Sequence, residues 1–534
     1  MAITKTNLNT VRNRIFAANS YRTGVATSNT YLGISRIVSW GANAIPQSVE
    51  TTEEFNEVFR SLIALKKIHA ADICLVTPRV DWATGIIYDE YTENLALYSY
   101  ENLSAITGVV NANAANGVVL HGVGTTFTAN LQVGNFITLN GDGNTAPKIT
   151  KEIISIANNT SLNVNSAYTL TYQSNTAYKV SNTYPTYSHK FYVKNNRDQV
   201  FKCLYNNFLA VSTDMPEITI GGSLPEDPYI ETSDGYKWKY MYTIPAGLKE
   251  KFLTREWMPV TTDTIVYENS INGRLDIIEI LNGGAGYING GNSSNATILT
   301  VNGDGADANL TAVVANGVIQ SVNFNDRGVN YTNATITVND PTQIFSSANA
   351  EIIAIIGPQN GHGYDPYYGI GAKNLMISVD LNADEEGTIP VTVGSHLFDY
   401  SQLVILKDPI SSVNSLPLSG LNYKTVLVLN TSTGSENSFN LDDIAFQGIT
   451  LASSNFHGSV VNWDHNTSEL WLNAVEGTCI TSAAITGNDI NLTVNSVIES
   501  EYKPFTGEIL YIENRSPITR DTFQTEQIKL VLSF

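Results

Sequence analysis

Short alternations of apolar and polar residues, separated by Asn and Gly, cover most of the chain and predict a mainly β structure. Compact apolar runs that predict buried strands lie at residues 73–76, 375–378 and 403–406. Lys407-Asp408-Pro409 follows the third run, and we expect the strand to end there because proline cannot continue a β ladder.

An aromatic row alternates with lysines in the segment 236–242. In a strand, Tyr236, Trp238, Tyr240 and Tyr242 would all point to one face, opposite Lys237 and Lys239. We interpret the row as a half-buried packing face, since aromatic residues favour strands in general. A platform for sugars or bases is the alternative.

One helix interrupts the strand pattern. Thr51 and Glu54 have the spacing of a capping box, in which each side chain satisfies a backbone amide at the helix start. The apolar residues that recur after it at roughly helical spacing are Phe55, Val58, Phe59, Leu62, Ile63 and Leu65. We expect this stripe to pack on the flank of a β structure rather than to bind a ligand.

An internal repeat lies between residues 276 and 338. The segment 277–287 is echoed by 321–331, and 295–298 is echoed by 333–336. Each unit has a strand, a Gly/Asn turn, a Tyr and a second strand. Units of this size bury little surface alone, so we expect them to stack.

Composition narrows the class of protein. Hydrophobic residues make up 43% of the 534 positions, which indicates a folded chain with room for about three or four domains. The net charge of −20 argues against direct nucleic-acid binding, which needs a basic surface. We attribute the acidity to solubility.

Three cysteines, Cys74, Cys203 and Cys479, lie far apart and match neither a disulfide framework nor a zinc-site spacing. We therefore expect free thiols. No run approaches the ~18 apolar residues of a membrane helix. The first residues lack an apolar signal core, so we expect no export by a signal peptide.

Two sets of residues in the sequence carry side chains that could bind a metal ion. The turns 140–143 and 302–305 read Asn-Gly-Asp-Gly, but both lack the later acidic ligand of a calcium loop, which favours ordinary turns. A second set of residues carries imidazole and carboxylate ligands without standard zinc spacing: His457, Asp464, His465, His362 and Asp365. We interpret these as surface or hairpin residues.

No catalytic motif stands out. The carboxylates at 89–90 and 384–386 could suggest a glycosidase, but solvated acidic loops are the better interpretation. Gly122 and Gly124 do not form a phosphate loop, since no Lys-Ser/Thr follows and no helix is expected to open there. We predict no catalytic, cofactor-binding or metal-binding residue, no cofactor, and a protein that is not an enzyme.

Several sequence blocks, taken in order, resemble one known family. The blocks are Gly33-Ile34-Ser35-Arg36 with Trp40, Arg79-Val80-Asp81-Trp82, Tyr205-Asn206-Asn207, Ser233–Tyr240, and the tail with Gly507-Glu508-Ile509-Leu510 and Glu513-Asn514-Arg515-Ser516-Pro517-Ile518. Together they resemble the baseplate wedge subunit (gene-eight product family) of T-even-like contractile-tailed bacteriophages. The chain is much longer than a minimal member of that family.

The resemblance implies a β-sandwich core with helix-bearing loops and a homodimer that contacts other wedge subunits. It also implies a structural role in baseplate assembly and in the rearrangement linked to sheath contraction, within the virion after synthesis in the host cytoplasm. No catalytic residues come with the family. We expect the strand 236–242 and the tail 507–534 to build the core. The alternative function is a receptor- or glycan-binding tail protein, favoured by the repeat.

The extra length falls in three Asn/Gly-rich stretches that we interpret as insertions. The first resembles a small β-barrel module found in phage tail proteins, and the second resembles Gly-rich repeats of viral tail and fibre proteins. The predicted division is core at 1–105 (with the helix), inserted β-barrel-like module at 106–180, core at 181–265, inserted β-repeat module at 266–356, core at 357–410, a third β-rich insertion at 411–497, and C-terminal core strands at 498–534.

Overall fold

The computed structural model describes residues 28–36, 51–91, 104–105, 107–112, 118–139, 149–164, 172–176, 178–181, 191–219, 229–288, 297–339, 349–392, 394, 397–487 and 490–532. Strands hold 51% of the residues and helices 10%, which confirms the mainly β class. No helix in these ranges is both long and apolar enough to span a bilayer. Two compact units are present: Met1–Pro78 with Ala246–Val260 and Gly371–Phe534, and Arg79–Pro245 with Thr261–Ile370.

The strands, numbered along the chain, are β1 (Thr30–Ser35), β2 (Leu62–Ile68), β3 (Ile73–Pro78), β4 (Ser104–Ala105), β5 (Val109–Ala112), β6 (Val119–Val123), β7 (Phe136–Leu139), β8 (Ile149–Asn158), β9 (Ser161–Val164), β10 (Tyr172–Thr176), β11 (Tyr178–Ser181), β12 (Tyr192–Lys194), β13 (Gln199–Tyr205), β14 (Ile230–Glu231), β15 (Lys237–Thr243), β16 (Trp257–Pro259), β17 (Leu275–Asn282), β18 (Ile298–Gly303), β19 (Ala306–Ala315), β20 (Val318–Val329), β21 (Ala334–Asn339), β22 (Glu351–Ile356), β23 (Asn374–Asn382), β24 (Phe398–Lys407), β25 (Asn422–Lys424), β26 (Leu427–Thr431), β27 (Ile444–Gln447), β28 (Phe456–Asp464), β29 (Glu469–Gly477), β30 (Ala484–Gly487), β31 (Ile490–Ile498), β32 (Glu508–Arg520) and β33 (Thr525–Leu532). The α-helices are α1 (Thr52–Ser61), α2 (Phe127–Asn130), α3 (Ala246–Phe252), α4 (Thr264–Glu268) and α5 (Pro366–Gly369).

The first unit contains a β-sandwich. One sheet has the order β25-β2-β1-β24-β32 and the other the order β16-β3-β23-β33, with antiparallel pairing throughout. Leu32 and Ile405 of the first sheet share one buried cluster with Ile377 and Leu530 of the second. This arrangement confirms the predicted sandwich, because apolar faces of two sheets meet in a common core.

The predicted helix is shorter than the apolar stripe. The capping box is confirmed: the Glu54 amide donates to Thr51 Oγ1 at 3.2 Å, and the Thr51 amide donates to the Glu54 carboxylate at 2.7 Å. However, α1 ends at Ser61, and the last part of the stripe, 62–65, belongs to β2. Both faces of β2 are buried, and an apolar strand of that kind cannot be told from a buried helix by periodicity.

A closed barrel also belongs to the first unit. Its six strands follow the order β26-β29-β28-β27-β30-β31, and its interior contains Leu429, Phe439, Trp463 and Leu472. The indole N–H of Trp463 donates to the Ser435 carbonyl oxygen at 2.9 Å. The barrel lies within the range predicted as the third insertion, whose boundaries stay a prediction.

In the second unit, the strands between 104 and 181 form an eight-stranded sheet with the order β10-β5-β6-β9-β8-β7-β11-β4. Gly124 and Gly134 adopt φ of 68° and 92°, so each supplies a turn that other residues rarely make. The expectation that no helix opens after Gly124 is wrong. A single turn, α2, starts at Phe127 because the Thr126 carbonyl oxygen accepts from the Asn130 amide.

The aromatic strand β15 lies in a sheet with the order β12-β13-β15-β14. Tyr236, Trp238 and Tyr240 pack together in one buried cluster, so their predicted packing role is confirmed. Tyr242 is also fully buried, but the prediction that it shares a face with the other three is wrong. Val200 pairs with Tyr242 and Phe201 with Tyr240, which leaves Met241 as a bulge residue and turns Tyr242 to the opposite face.

The tail strands and the aromatic strand contribute to different clusters rather than to one shared core. Residues of β32 and β33 pack in the sandwich, whereas β15 packs in the second unit. The physical reason is pairing: β32 adds to β24 and β33 adds to β23, while β15 pairs with β13 and β14.

The two repeat units interlock. The amide of Tyr287 donates to the Gly317 carbonyl oxygen at 2.9 Å, and the amide of the equivalent Tyr331 donates to the equivalent Gly273 carbonyl oxygen, also at 2.9 Å. Their second strands, β18 and β21, pair antiparallel with each other. Each unit therefore completes hydrogen bonds of the other, as expected for units that bury little surface alone.

Candidate functional site

A buried ionic cluster lies at the start of β17. His362 Nε2 lies 2.9 Å from the Asp276 carboxylate, which accepts from Arg274 Nε at 3.3 Å. His362 is only 6% exposed, so its interpretation as a surface residue is wrong. Gly361 and Gly363, with φ of 86° and 92°, fold the loop inward, and a Cβ at Gly361 would lie 2.5 Å from the Ile271 amide nitrogen.

The electrostatics of the cluster favour an uncharged imidazole. Burial lowers the pKa of His362 to about 4, and the positive charges of Lys202 and Lys239 act in the same direction against the attraction of Asp276. Burial acts to raise the pKa of Asp276, but His362, Arg274 and Lys239 hold it below its ordinary value. At neutral pH the pair is therefore a neutral imidazole beside a carboxylate.

A cavity of about 570 Å³ adjoins this cluster. Its lining includes Tyr91, Asn272, Asp276, Tyr331 and His362. The volume suits a small molecule. His362 Nδ1 is buried and has no hydrogen-bond partner among the described residues, so the pair forms no relay to a nucleophile there. The arrangement fixes the 361–363 loop to β17.

The calcium-like turn at 302–305 is fixed to the segment 332–333 by hydrogen bonds. Asp304 accepts from the amides of Thr332 and Asn333, each at 2.9 Å, and from the Thr332 hydroxyl. These bonds lower the pKa of Asp304 to about 2. The second turn, 140–143, lies outside the described residues. In the described ranges no group of three or more His, Cys, Asp or Glu side chains could hold a metal ion.

The remaining imidazole and carboxylate candidates sit in separate places. Asp464 accepts from the Asn466 amide at 2.9 Å in the β28–β29 turn, and His457 on β28 lies 3.6 Å from Glu476. His465 belongs to the same turn as Asp464. Asp365 caps α5 by accepting from the Tyr368 amide at 3.1 Å. Asp464 therefore stabilises a hairpin turn and Asp365 a helix cap.

The acidic segments are less solvated than predicted. Glu385 is buried against Lys66 Nζ, and its carboxylate accepts from Asn422 Nδ2 at 3.1 Å. Glu90 accepts from the Asn206 amide at 2.9 Å, and burial raises its pKa. The solvated-loop prediction is wrong for these two carboxylates, because each one satisfies buried donors from a distant segment.

None of the three cysteines forms a disulfide, as the spacing predicts. Burial raises the pKa of Cys203 well above its ordinary value, and it raises the pKa of Cys479 to about 11. Both thiols therefore stay protonated at neutral pH, and a protonated thiol is a poor nucleophile.

A strained turn at 207–209 escaped the sequence analysis. Asn207, Phe208 and Leu209 adopt φ of 51°, 56° and 63° in succession, although none is glycine. Asn tolerates this conformation, so Tyr205-Asn206-Asn207 contains a weak signal. Phe and Leu give no such signal.

No protein-family model matches the chain, and no curated protein sequence matches it. The function is therefore argued from the residues of the chain and their contacts.

Proposed function

We propose that the chain is a structural subunit of the baseplate wedge of a contractile-tailed bacteriophage. The observation that carries the proposal is the ordered set of sequence blocks that resembles the wedge family, together with what the polar side chains of those blocks do. In each block, they join separate segments of the framework. Polar side chains that join segments in this way are expected in a scaffold, because buried polar groups must be paired.

Arg36, from the first block, ties β1 to two other segments. Its guanidinium donates to Asp442 at 2.8 and 2.7 Å and pairs with Asp399 of β24. The side chain is almost fully buried. A buried arginine between two carboxylates fixes geometry, because its planar group binds carboxylates in a defined orientation.

Asp81 and Asp234 play similar parts in the second unit. Asp81 pairs with Arg79 at 2.8 Å and with Lys194 at 3.3 Å. Asp234 accepts from the Ser212 hydroxyl at 3.1 Å and from the amides of 213 and 214 at 2.8 and 3.1 Å. Both carboxylates hold loops in place. Burial acts to raise the pKa of each, but Arg79 and Lys194 lower that of Asp81, and the Thr232 hydroxyl with the amides of 213 and 214 lowers that of Asp234.

The tail block builds the long strand β32. Asn514 accepts from Gln402 Nε2 at 2.8 Å across the β24–β32 pair, and Arg515 pairs with Glu513. The tail block therefore joins β32 to β24 of the sandwich along most of the strand.

Light scattering coupled to size exclusion tests the proposal. A wedge subunit should run as a homodimer with twice the chain mass of 58.1 kDa. A stable trimer would count heavily against the proposal, because trimers are typical of tail adhesins.

A glycan-binding function is the second candidate, and one surface feature favours it. Tyr267 and Tyr364 are both exposed and stack at 5.1 Å between ring centroids, and Tyr368 on α5 is also exposed. Exposed aromatic rings can stack on sugar rings. A glycan array with the native protein and a Tyr364→Ala, Tyr368→Ala variant tests this candidate; no binding by the native protein removes it.

A further inference from the structure

Three side chains with complementary chemistry meet beside β2. Lys66 lies on β2, and its register partner on the neighbouring antiparallel strand β25 is Asn422. Directly opposed residues of an antiparallel pair point to the same face of the sheet. Glu385, from the loop that follows β23, reaches both of them: its Oε1 pairs with Lys66 Nζ, and its Oε2 accepts from Asn422 Nδ2 at 3.1 Å. One carboxylate therefore bridges an amine and a carboxamide.

The loop that carries Glu385 has a strained backbone. Ala383, Glu385 and Glu386 adopt φ of 46°, 49° and 59°, although none of them is glycine. The Arg520 guanidinium holds the loop by donating to the Ala383 carbonyl oxygen at 2.7 Å, and the Asn382 amide donates to Glu385 Oε1 at 2.6 Å. Strain of this kind persists only where the surroundings enforce it, and it concentrates at functional sites. The loop thus fixes the carboxylate between the amine and the carboxamide.

Little water reaches the three side chains. The side chain of Glu385 is 8% exposed and that of Lys66 is 20% exposed. Asn422 Oδ1 is buried and has no hydrogen-bond partner among the described residues, which is unusual for a buried polar atom. Burial acts to raise the pKa of Glu385, but Lys66, the Asn382 amide and Asn422 hold it below its ordinary value. The carboxylate is therefore ionised at neutral pH and can accept a proton.

We propose that Lys66 and Asn422 form a covalent isopeptide bond, with Glu385 as the catalytic acid and base. Reacting groups that are held together react far faster than free ones, because their encounter costs no further entropy. A lysine amine is a competent nucleophile once it has lost its proton, and a carboxylate in contact with it can take that proton. This activity of the chain on itself goes beyond the proposed function and does not depend on it.

The reaction exchanges one amide nitrogen for another. Glu385 takes a proton from the Lys66 ammonium, and the freed lone pair forms a bond from Nζ to Cγ of Asn422, which moves the carbonyl electron pair to Oδ1. The carboxyl group then gives its proton to Nδ2. The carbonyl double bond forms again, the Cγ–Nδ2 bond breaks, and the nitrogen leaves as ammonia. Glu385 passes the second proton of Nζ to this ammonia, so that ammonium departs, the carboxylate is restored and Nζ becomes an amide N–H.

Mass spectrometry of the purified native chain tests the proposal. We expect the intact mass, allowing for removal of the initiator methionine, to be lower than that of the sequence by one ammonia molecule. A tryptic digest should contain the segments 61–67 and 408–424 as one linked species, because the new bond joins a residue of each.

Three variants assign the chemistry. Lys66→Arg keeps the positive charge beside Glu385 but removes the amine, and Glu385→Gln removes the proton acceptor. Each of these two variants should have the full mass of its sequence and no linked species. Lys67→Arg is the matched control, because Lys67 is the next residue of β2 and its Nζ donates instead to the Ser419 carbonyl oxygen at 3.0 Å. This control should be cross-linked like the native chain.

The native chain decides the proposal even if a variant fails to fold. Full sequence mass and no linked species after prolonged incubation would overturn the proposal and leave an ordinary buried ion pair, without affecting the proposed function. A lost ammonia without the linked species would indicate a succinimide at an Asn-Gly step and would also overturn it. A linked species in Glu385→Gln would overturn the role assigned to Glu385.

Discussion

Acidification should weaken the second unit through His362. In the folded protein, burial lowers the pKa of this imidazole to about 4, against an ordinary value of 6.5. Between those two values the unfolded chain binds a proton that the folded chain does not bind. The free energy of unfolding therefore falls as pH decreases through this window, and it changes no further from this group below the folded pKa.

The size of the effect follows from the displacement of the pKa. A shift from 6.5 to about 4 corresponds to a loss of about 3 kcal/mol once the pH is below both values, and to about 2 kcal/mol at about pH 5. The slope cannot exceed about 1.4 kcal/mol per pH unit, because one proton is involved. Asp276 contributes in the same direction at lower pH, since its pKa is also lowered in the folded protein.

Hydrogen exchange measured by mass spectrometry on β17 between about pH 7 and pH 5 reports this stability locally, after correction for the intrinsic pH dependence of exchange. His362→Gln keeps a donor toward Asp276 and cannot titrate, so it should lose most of the pH dependence. His457→Gln, at a partly exposed site, is the matched control and should behave like the native chain. Equal slopes in the native chain and His362→Gln would refute the reasoning.

Three further substitutions test the framework by urea unfolding. Arg36→Ala leaves two carboxylates without their buried partner and should cost about 3–5 kcal/mol, whereas Arg60→Ala, at an exposed pair, should cost less than about 1 kcal/mol. Trp238→Ala empties a fully buried site and should cost about 3–5 kcal/mol, with Phe523→Ala as the exposed control. Thr51→Ala removes the N-cap of α1 and should cost about 1 kcal/mol. Equal losses in a variant and its control, or no loss for Thr51→Ala, would contradict the assigned contacts.

Features set by neighbouring residues could be predicted from the sequence. The capping box needs only Thr51 and Glu54, which lie one helical turn apart. The strands at 375–378 and 403–406 are apolar runs bounded by polar residues, and both occur in the structure. Gly286 and Gly361 adopt left-handed conformations in Asn/Gly-rich turns, where such conformations are common.

Features set by distant residues could not be predicted. The bulge at Met241 depends on how β13 pairs with β15, and it alone turns Tyr242 away from the other aromatic residues. His362 is buried beside Asp276, which lies far away in the chain. Phe208 and Leu209 have no residue-type signal for the left-handed region, so their turn follows only from the contacts that enforce it.

Whether the chain occurs in phage particles, and where, tests the proposed function most directly. Gold-labelled antibodies raised against the purified protein should be imaged on particles of the phage that encodes it, before and after sheath contraction. A baseplate wedge subunit predicts gold at the baseplate in both states. Gold at fibre tips, or particles without label that also lack the chain by mass spectrometry, would contradict the account.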